Sequence, residues 1–325
     1  MFVKVFAGIL AIGCAVASPT FAADGAARYP DANVELVVPF PAGGTTDVIA
    51  RLVAQYVSQK WGHPVIVTNK AGATGAIGSE FVARAKPDGY TLLVATASTH
   101  AVLPAYRSNL PYDTVTSFAP ATLLSTFPNM LVVNPKLPVK SVADLIALLK
   151  QKPGKMNFAS SGVGGTGHFA GELFKLMTGT NMVHVPYKGS APALNDLIAG
   201  SVDLTIDNMS TVWPMVKQGQ LRALGVASLK RAPSAPDVPA IAETVPGFEV
   251  TSWVGVVAPA GTPTAVVEKV SKSFADAVND PAISKKLEEL GAEAASDSPD
   301  EFKRFIQADR EKWKKVAAEA HLTQK

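Results

Sequence analysis

The sequence has almost no cysteine and little histidine. Its single cysteine among 325 residues, Cys14, lies in an apolar N-terminal segment with the features of a leader. Removal of that segment would leave no thiol, which excludes disulfides, thiolate metal sites and cysteine nucleophiles. The five histidines, at positions 63, 100, 168, 184 and 321, lack the spacing of metal ligands. The sequence therefore predicts neither a metal site nor a cofactor.

The chain also lacks a surplus of one charge and, beyond its N-terminus, a long apolar run. Lysine and arginine total 30 against 27 acidic residues, and the basic residues are scattered. No basic stripe of the kind that binds nucleic acid is present. A membrane-spanning helix needs about 20 apolar residues, and no later segment is apolar enough. We therefore expect a soluble protein with no nucleic-acid partner.

Residues 1–22 are typical of a signal peptide. Lys4 supplies the positive charge, Val5 to Val16 form the apolar region, and Thr20-Phe21-Ala22 is a small-x-small cleavage site. We expect cleavage after Ala22 and export of the remaining chain. An uncleaved anchor stays open as an alternative, and so does lipidation at Cys14, whose surroundings faintly resemble a lipoprotein site.

Short apolar strands alternate with helical patterns along the rest of the chain, which predicts an α/β fold with a mostly parallel sheet. Roughly 300 residues are enough for two domains with their own cores. The succession of strand, glycine or serine loop and helix occurs within residues 23–125 and again within 126–245. We predict a first domain of residues 23–125 plus 246–325, to which two long C-terminal helices return, and a second domain of residues 126–245.

Several signatures of nucleotide and hydrolase chemistry are missing. No glycine loop carries the Gly-Lys-Ser/Thr sequence that meets a triphosphate. Gly162 to Gly167 match G-x-G-x-x-G, but residues 180–190 contain no acidic side chain for a ribose. No Gly-x-Ser-x-Gly nucleophile elbow occurs. These absences argue against nucleotide binding and serine hydrolysis.

Three loops rich in backbone donors and hydroxyl groups follow predicted strands, at residues 41–47, 96–100 and 160–168. The carboxyl ends of strands are where open α/β sheets bind ligands, and a helix start there offers free N–H groups to an anion. Small neutral donors suit a carboxylate better than a nucleotide. The candidate binding residues are Gly43, Gly44, Thr45, Thr46, Ser98, His100, Ser160, Ser161, Gly162, Gly164, Thr166 and His168.

Alternatives remain open for several of these residues. The glycines are also explained by tight turns, and a fourth loop, Gly72 to Gly78, by close packing. His100 and His168 are equally explained as histidines hydrogen-bonded to their own loops. Thr45 or Thr46 is expected to cap the following helix, with Asp47 in its first turn.

A further candidate, Asp207, ends a predicted strand beside Asn208. A carboxylate there suits a cation, an amino group or a hydroxyl at the far end of a ligand. The alternative is that Asp207 caps the helix that follows.

Several longer motifs occur in a fixed order along the chain. They are Pro39 to Asp47 (PFPAGGTTD), Asn69 to Ala73 (NKAGA), Ala85 to Leu93 (AKPDGYTLL), His184 to Gly189 (HVPYKG) and Ala258 to Pro263 (APAGTP). In this order and spacing they resemble the Bug family, the extracytoplasmic solute receptors of tripartite tricarboxylate transporters. The resemblance covers essentially the whole chain after the signal peptide. In one departure, many relatives have Ser-Gly or Gly-Ser where this chain has Gly164-Gly165-Thr166.

The resemblance implies a periplasmic binding protein of type II, with two hinged α/β domains, two chain crossovers and no enzymatic activity. It implies that the loops at Gly43–Thr46 and Ser160–Thr166 hold one ligand carboxylate, with Ser98 and His100 nearby and Asp207 at the variable end. A monomer that delivers its ligand to inner-membrane permease subunits is expected. The rivals are a sensor accessory for a membrane kinase and a periplasmic hydrolase or isomerase that uses His100 or His168 as base. Which carboxylate is bound stays open.

Overall fold

The structure is a computed structural model and describes residues 28–322. The predicted signal peptide and its cleavage site after Ala22 lie outside these residues. Within them, no helix is both long enough and apolar enough to cross a membrane.

The described chain is an α/β structure, as predicted, but its sheet is mixed and not mostly parallel, because five of its nine strand pairings are antiparallel. Its strands are β1 (Val34–Val38), β2 (Val65–Asn69), β3 (Thr91–Thr96), β4 (Phe118–Val133), β5 (Asn157–Ser160), β6 (Val183–Pro186), β7 (Leu204–Asn208), β8 (Arg222–Val226), β9 (Thr251–Pro259) and β10 (Glu293–Ala294). Its helices are α1 (Thr45–Trp61), α2 (Ala76–Ala83), α3 (Leu103–Tyr106), α4 (Val142–Gln151), α5 (Thr166–Thr178), α6 (Ser190–Ala199), α7 (Met209–Lys217), α8 (Thr264–Val278), α9 (Pro281–Glu289) and α10 (Pro299–Glu319).

The strands form two groups that share β4. The order through the sheet is β2-β1-β3-β9-β4-β7-β5-β6, with β10 and β8 also paired to β4. Residues 118–128 of β4 pair with β9, whereas residues 129–133 pair with β7 and β8. We call the β1, β2, β3 and β9 group with its helices the first lobe, and the β5, β6, β7 and β8 group with its helices the second lobe.

The chain passes between the lobes at two adjacent places. One is the middle of β4, where the Asn129 N–H donates to Val250 O and Asn129 O accepts from the Ala227 N–H. The other is the return from β8 to β9, since the Val250 N–H donates to Ala227 O. Two neighbouring crossovers of extended backbone are the arrangement expected of a hinge. The exact domain boundaries at residues 125 and 245 stay a prediction.

The first eleven residues of β4 contain two prolines, which hide a long strand from the sequence pattern. Proline cannot donate a ladder hydrogen bond and is tolerated mainly at bulges and strand ends. The pairing with β9 shifts register between Pro120 and Thr122, and Pro128 stands beside the crossover. The prolines therefore fall where the ladder is already irregular, and the strand continues through both.

Each lobe has its own apolar core. In the first lobe, α1 and α8 pack on the sheet through buried side chains that include Leu36, Ile49, Val94, Val256 and Phe274. In the second, α4 and α5 pack through Leu131, Leu145, Phe158, Phe169 and Leu204. Strand alternation and a helical stripe at three- and four-residue spacing produce these buried faces.

The C-terminal helix α10 contacts both lobes, which the sequence did not indicate. Its first turns bury Phe302 and Ile306 against Trp253 and neighbouring first-lobe residues. Its last turns bury Trp313 in the second core, where the indole meets Phe169 edge-on at 5.9 Å. Three helices, not two, end the described chain, because the short α9 lies between α8 and α10.

We expect Trp313→Ala to lower the free energy of unfolding by about 3–5 kcal/mol, because it empties the space of a fully buried indole. Urea denaturation of the purified protein measures this. The neighbouring Lys314→Ala, on an exposed side chain, should change stability by no more than about 0.5 kcal/mol. A loss below about 1 kcal/mol for Trp313→Ala would contradict the packing of α10 on the second lobe.

Candidate functional site

The first glycine loop is held by Asp47 and opens α1 without a side-chain cap. Gly44, not a threonine, is the N-cap residue of α1. The buried Asp47 carboxylate accepts from the Gly43 N–H at 3.0 Å, from Asn69 Nδ2 at 2.9 Å, and from Arg51 through two bonds of 3.0 and 2.9 Å. Asp47 thus supports the loop from behind.

The environment of Asp47 keeps it ionised. Burial favours the neutral acid, but hydrogen bonds from Arg51, the Gly43 N–H and Asn69 outweigh that effect and lower the pKa of Asp47 below its ordinary value. Hydrogen bonds from Gly43, Arg51 and Asn69 already occupy both carboxylate oxygens of Asp47. The carboxylate therefore has a scaffold role rather than a place at the ligand.

The second loop places Ser98 and His100 in different surroundings. Residues Ser98–Val102 form a π-helical turn after β3. Ser98 Oγ accepts from the Thr166 N–H at 3.2 Å, so Ser98 faces the second lobe. His100 is fully buried in the first lobe, with its Nδ1 2.9 Å from Thr99 Oγ1 and its ring 4.9 Å from that of Phe118. This packing favours the loop-bound interpretation of His100.

The third loop, residues 160–168, is held by hydrogen bonds within the loop and to His184. Ser160 Oγ lies 2.6 Å from His184 Nε2 and 3.1 Å from Gly162 O. His168 Nδ1 accepts from the Gly164 N–H at 3.2 Å. Gly164 has a φ of +76°, and a Cβ there would stand 2.8 Å from Leu103 Cδ1 of the first lobe. Glycine is required at this position by both backbone conformation and the approach of α3.

Direct hydrogen bonds join the lobes across the cleft. Thr45 Oγ1 is 2.7 Å from Ser210 Oγ at the start of α7. Thr74 Oγ1, from the fourth candidate loop, donates to Val163 O at 2.7 Å. Together with the Ser98–Thr166 bond, these contacts show the lobes closed on one another.

Four helices begin at this junction, and none of their N-caps makes a side-chain hydrogen bond within residues 28–322. Their N-cap residues are Gly44 for α1, Gly165 for α5, Gly189 for α6 and Asn208 for α7. Away from the cleft, Ser141, Asp280 and Ser298 cap α4, α9 and α10 with their side chains. The cleft therefore gathers first-turn N–H groups and the positive ends of helix dipoles.

Unpartnered polar atoms are buried at the same place. Among the described residues, Asn129 Nδ2, Asp207 Oδ2 and Asn208 Oδ1 have no hydrogen-bond partner. Asn129 Oδ1 accepts from Ser252 Oγ at 2.8 Å, and Ser252 Oγ lies 3.5 Å from Thr166 Oγ1. Leaving such groups without partners costs about 1–3 kcal/mol each, so they indicate a position where a polar group is meant to bind.

Asp207 differs from Asp47 because no cation pairs with it. Asp207 Oδ1 accepts from the N–H of the next residue, Asn208, at 2.7 Å. Asn208, and not Asp207, is the N-cap residue of α7. The alternative of a helix cap is therefore not realised. Burial raises the pKa of the Asp207 carboxyl above its ordinary value and outweighs the opposite effect of the Ser190 hydroxyl and the Asn208 N–H, so a further hydrogen-bond donor or a proton is favoured there.

The structure brings together most of the residues predicted for the site. The residues Gly43–Thr46 lie at the start of α1, where Thr45 contacts Ser210 across the junction, and the loop opposite contains Ser160, Ser161, Gly162, Gly164, Thr166 and His168. Asn129, Ser210, Ser252 and His184 also lie there and were missed as candidates. For Asn129, the available sequence signal was its position directly before the apolar run Met130–Val133.

No group of three or more histidine, cysteine, aspartate or glutamate residues in the described range is arranged to hold a metal ion.

The two lobes, the shared strand and the helix starts in the cleft define a periplasmic binding protein. The family profile described as "Tripartite tricarboxylate transporter family receptor" matches residues 49–322. The chain belongs to this family of periplasmic solute-binding receptors, as the resemblance of its motifs predicted.

Individual relatives agree with this assignment. The chain is 37% identical to Protein BugT of Bordetella pertussis over 311 residues, 95% of each sequence. It is similar to the structure of R. palustris Rpa4515 with adipate, at 42% identity and a TM-score of 0.88, covering 90% of this chain and 98% of that one. It is also similar to MatC from Rhodopseudomonas palustris with bound malate, at 31% identity and a TM-score of 0.84, covering 89% and 99%.

We expect His100 to make stability depend on pH. Burial lowers the pKa of His100 to about 3, whereas an unfolded histidine titrates near about 6.5. Between these values the unfolded chain binds a proton that the folded one does not, so stability falls as pH decreases from about 7. In the wild-type protein, unfolding near pH 5 takes up about one proton at His100. His100→Phe removes this uptake, so the unfolding free energy should change with pH near pH 5 by about 1.4 kcal/mol per pH unit less than in the wild type.

Urea denaturation of both proteins at steps from pH 7 to pH 5 measures the slopes. Equal slopes for the two proteins would contradict a neutral, buried His100.

Proposed function

We propose that the protein binds a small carboxylate in the cleft between its lobes and delivers it to a tripartite tricarboxylate-type transporter. The observation that supports this most directly is the set of uncapped helix starts that meet in the cleft. The α1 and α5 N-termini approach from opposite lobes, with hydroxyl groups of Thr45 and Thr166 beside them. An anion is the ligand that such a position favours.

The neutral character of the donors favours a carboxylate over a phosphate ester. Hydrogen bonds to a charged acceptor contribute about 1.5–3 kcal/mol each. A few of these, with burial of a short hydrocarbon body, are enough for micromolar affinity, which corresponds to about 8 kcal/mol. No chemical step is needed, and binding is coupled to closure of the lobes about the crossovers at Asn129 and Val250.

The far end of the ligand is proposed to lie toward Asp207. Asp207 Oδ2 can accept from a hydroxyl or amino group, or share a proton with a second acid. Asn129 Nδ2 is a further buried donor without a partner, on the neighbouring strand β4. Relatives with adipate and with malate support a dicarboxylate or hydroxyacid as the ligand class.

A thermal-shift screen followed by calorimetry tests the proposal. Adipate, malate and other small carboxylates are compared with neutral amides of the same length, such as adipamide. A ligand that binds only the folded state raises Tm, by a free energy of about 2.7 kcal/mol at one hundred times Kd. Stabilisation by an acid and not by its amide is expected. Equal stabilisation by both would refute carboxylate recognition.

We predict that Thr45→Ala and Thr166→Ala each weaken binding of the best acid from that screen by about tenfold, because each removes a hydroxyl beside an uncapped helix start. Calorimetry measures Kd. Thr116→Ala and Thr180→Ala, in the first and second lobes away from the cleft, are matched controls and should bind with wild-type affinity. Unchanged affinity in both cleft variants would remove these hydroxyls from the site.

A further inference from the structure

Two histidines form a stacked pair behind the third loop. The rings of His168 and His184 lie 4.0 Å apart, inclined by 18°. Phe158 stacks on the other side of His184 at 4.9 Å, and Tyr106 of the first lobe meets His168 edge-on at 5.8 Å. A four-ring column therefore runs from the second-lobe core to the contact between the lobes.

The hydrogen bonds of this pair fix where its protons lie. His168 Nδ1 accepts from the Gly164 N–H, so the proton of its neutral ring is on Nε2. Ser160 Oγ has one hydrogen, which it donates to Gly162 O. It can keep that bond only if it accepts from His184 Nε2, 2.6 Å away. All these bonds are made together when both rings carry their proton on Nε2.

We propose that His184 and His168 are positioning residues, which act as a neutral stacked pair to hold the Ser160–Gly164 backbone in its anion-binding shape. His184 fixes the Ser160 hydroxyl, which in turn accepts from the Gly162 N–H at 3.3 Å. His168 fixes Gly164 directly. The role of the shaped loop rests on the proposed function, whereas the ordering of the loop by the pair does not.

The surroundings of the pair favour its neutral form. Burial lowers the pKa of His168 to about 4 and that of His184 to about 3, and Lys175 acts in the same direction on both. Lys175 is held by Glu172, one helical turn away on α5, through contacts of 2.8 and 3.0 Å. Phe158 beside His184 and Phe169 beside His168 add apolar rings to the surroundings of the pair. A neutral His168 is what allows Nδ1 to accept from Gly164.

Three variants separate the hydrogen bond from the packing. His184→Phe keeps a stacking ring and removes the donor to Ser160. His184→Gln places an amide donor near the former Nε2 and should restore it. His63→Phe, at the turn between α1 and β2, is the control for a histidine outside the column.

Amide hydrogen exchange followed by NMR tests the ordering without any ligand. Exchange of the Gly162 amide should be at least about tenfold faster in His184→Phe and near wild type in His184→Gln, while Leu145 in α4 is unchanged. Wild-type exchange at Gly162 in His184→Phe would overturn the proposal. If that variant does not fold, the 15N chemical shifts of the wild-type imidazoles show which ring nitrogen carries the proton. A His168 or His184 ring protonated on Nδ1 would also overturn the proposal.

Calorimetry with adipate then tests the consequence for binding. The Kd of His184→Phe should rise about tenfold and that of His184→Gln should return close to wild type. Faster exchange at Gly162 with an unchanged Kd would overturn the link between the pair and binding. If the wild-type protein binds no carboxylate, the proposed function fails, and the exchange experiment still decides the role of the pair.

Discussion

The structure depends on one constraint: backbone N–H groups at helix starts need partners, and at four helices that meet at the same junction the N-cap residue makes no side-chain hydrogen bond. The helices elsewhere that Ser141, Asp280 and Ser298 cap show that this chain can satisfy helix starts with side chains. At the junction, three of the four N-cap residues are glycines, which let an outside group approach the backbone closely, and the fourth is Asn208. The side chains nearby, Asp47 and the His168–His184 pair, support the loops from behind.

The two crossovers determine how those helix starts can move. Asn129 belongs to both lobes through its backbone and reaches Ser252 through its side chain. The residue at the hinge is thus hydrogen-bonded to a residue that neighbours Thr166. The contacting side chains of Asn129, Ser252 and Thr166 therefore couple a change of lobe orientation to a change at the binding loop. The α10 helix, anchored at Phe302 in one lobe and Trp313 in the other, limits how far the lobes can separate.

The sequence predicted the α/β fold, most strands and the loops of the site, because β-branched runs, glycine turns and ordered motifs are local signals. It missed the part of β4 before Asn129, where Pro120 and Pro128 interrupt the strand pattern and the ladder is irregular. It expected a threonine cap for α1, whereas Thr45 turns its hydroxyl to Ser210. It could not distinguish the roles of His100 and His168. His100 is buried against Phe118 and His168 stacks on His184, and both partners are distant in the sequence.

The place of β9 in the sheet has a consequence for the order in which the chain can fold. This strand lies between β3 and β4, yet it begins at Thr251, after all the strands of the second lobe. The sheet of the first lobe therefore lacks a central strand until late in synthesis. The contacts of β9 with β3 and β4 also span large sequence separations, which slows folding.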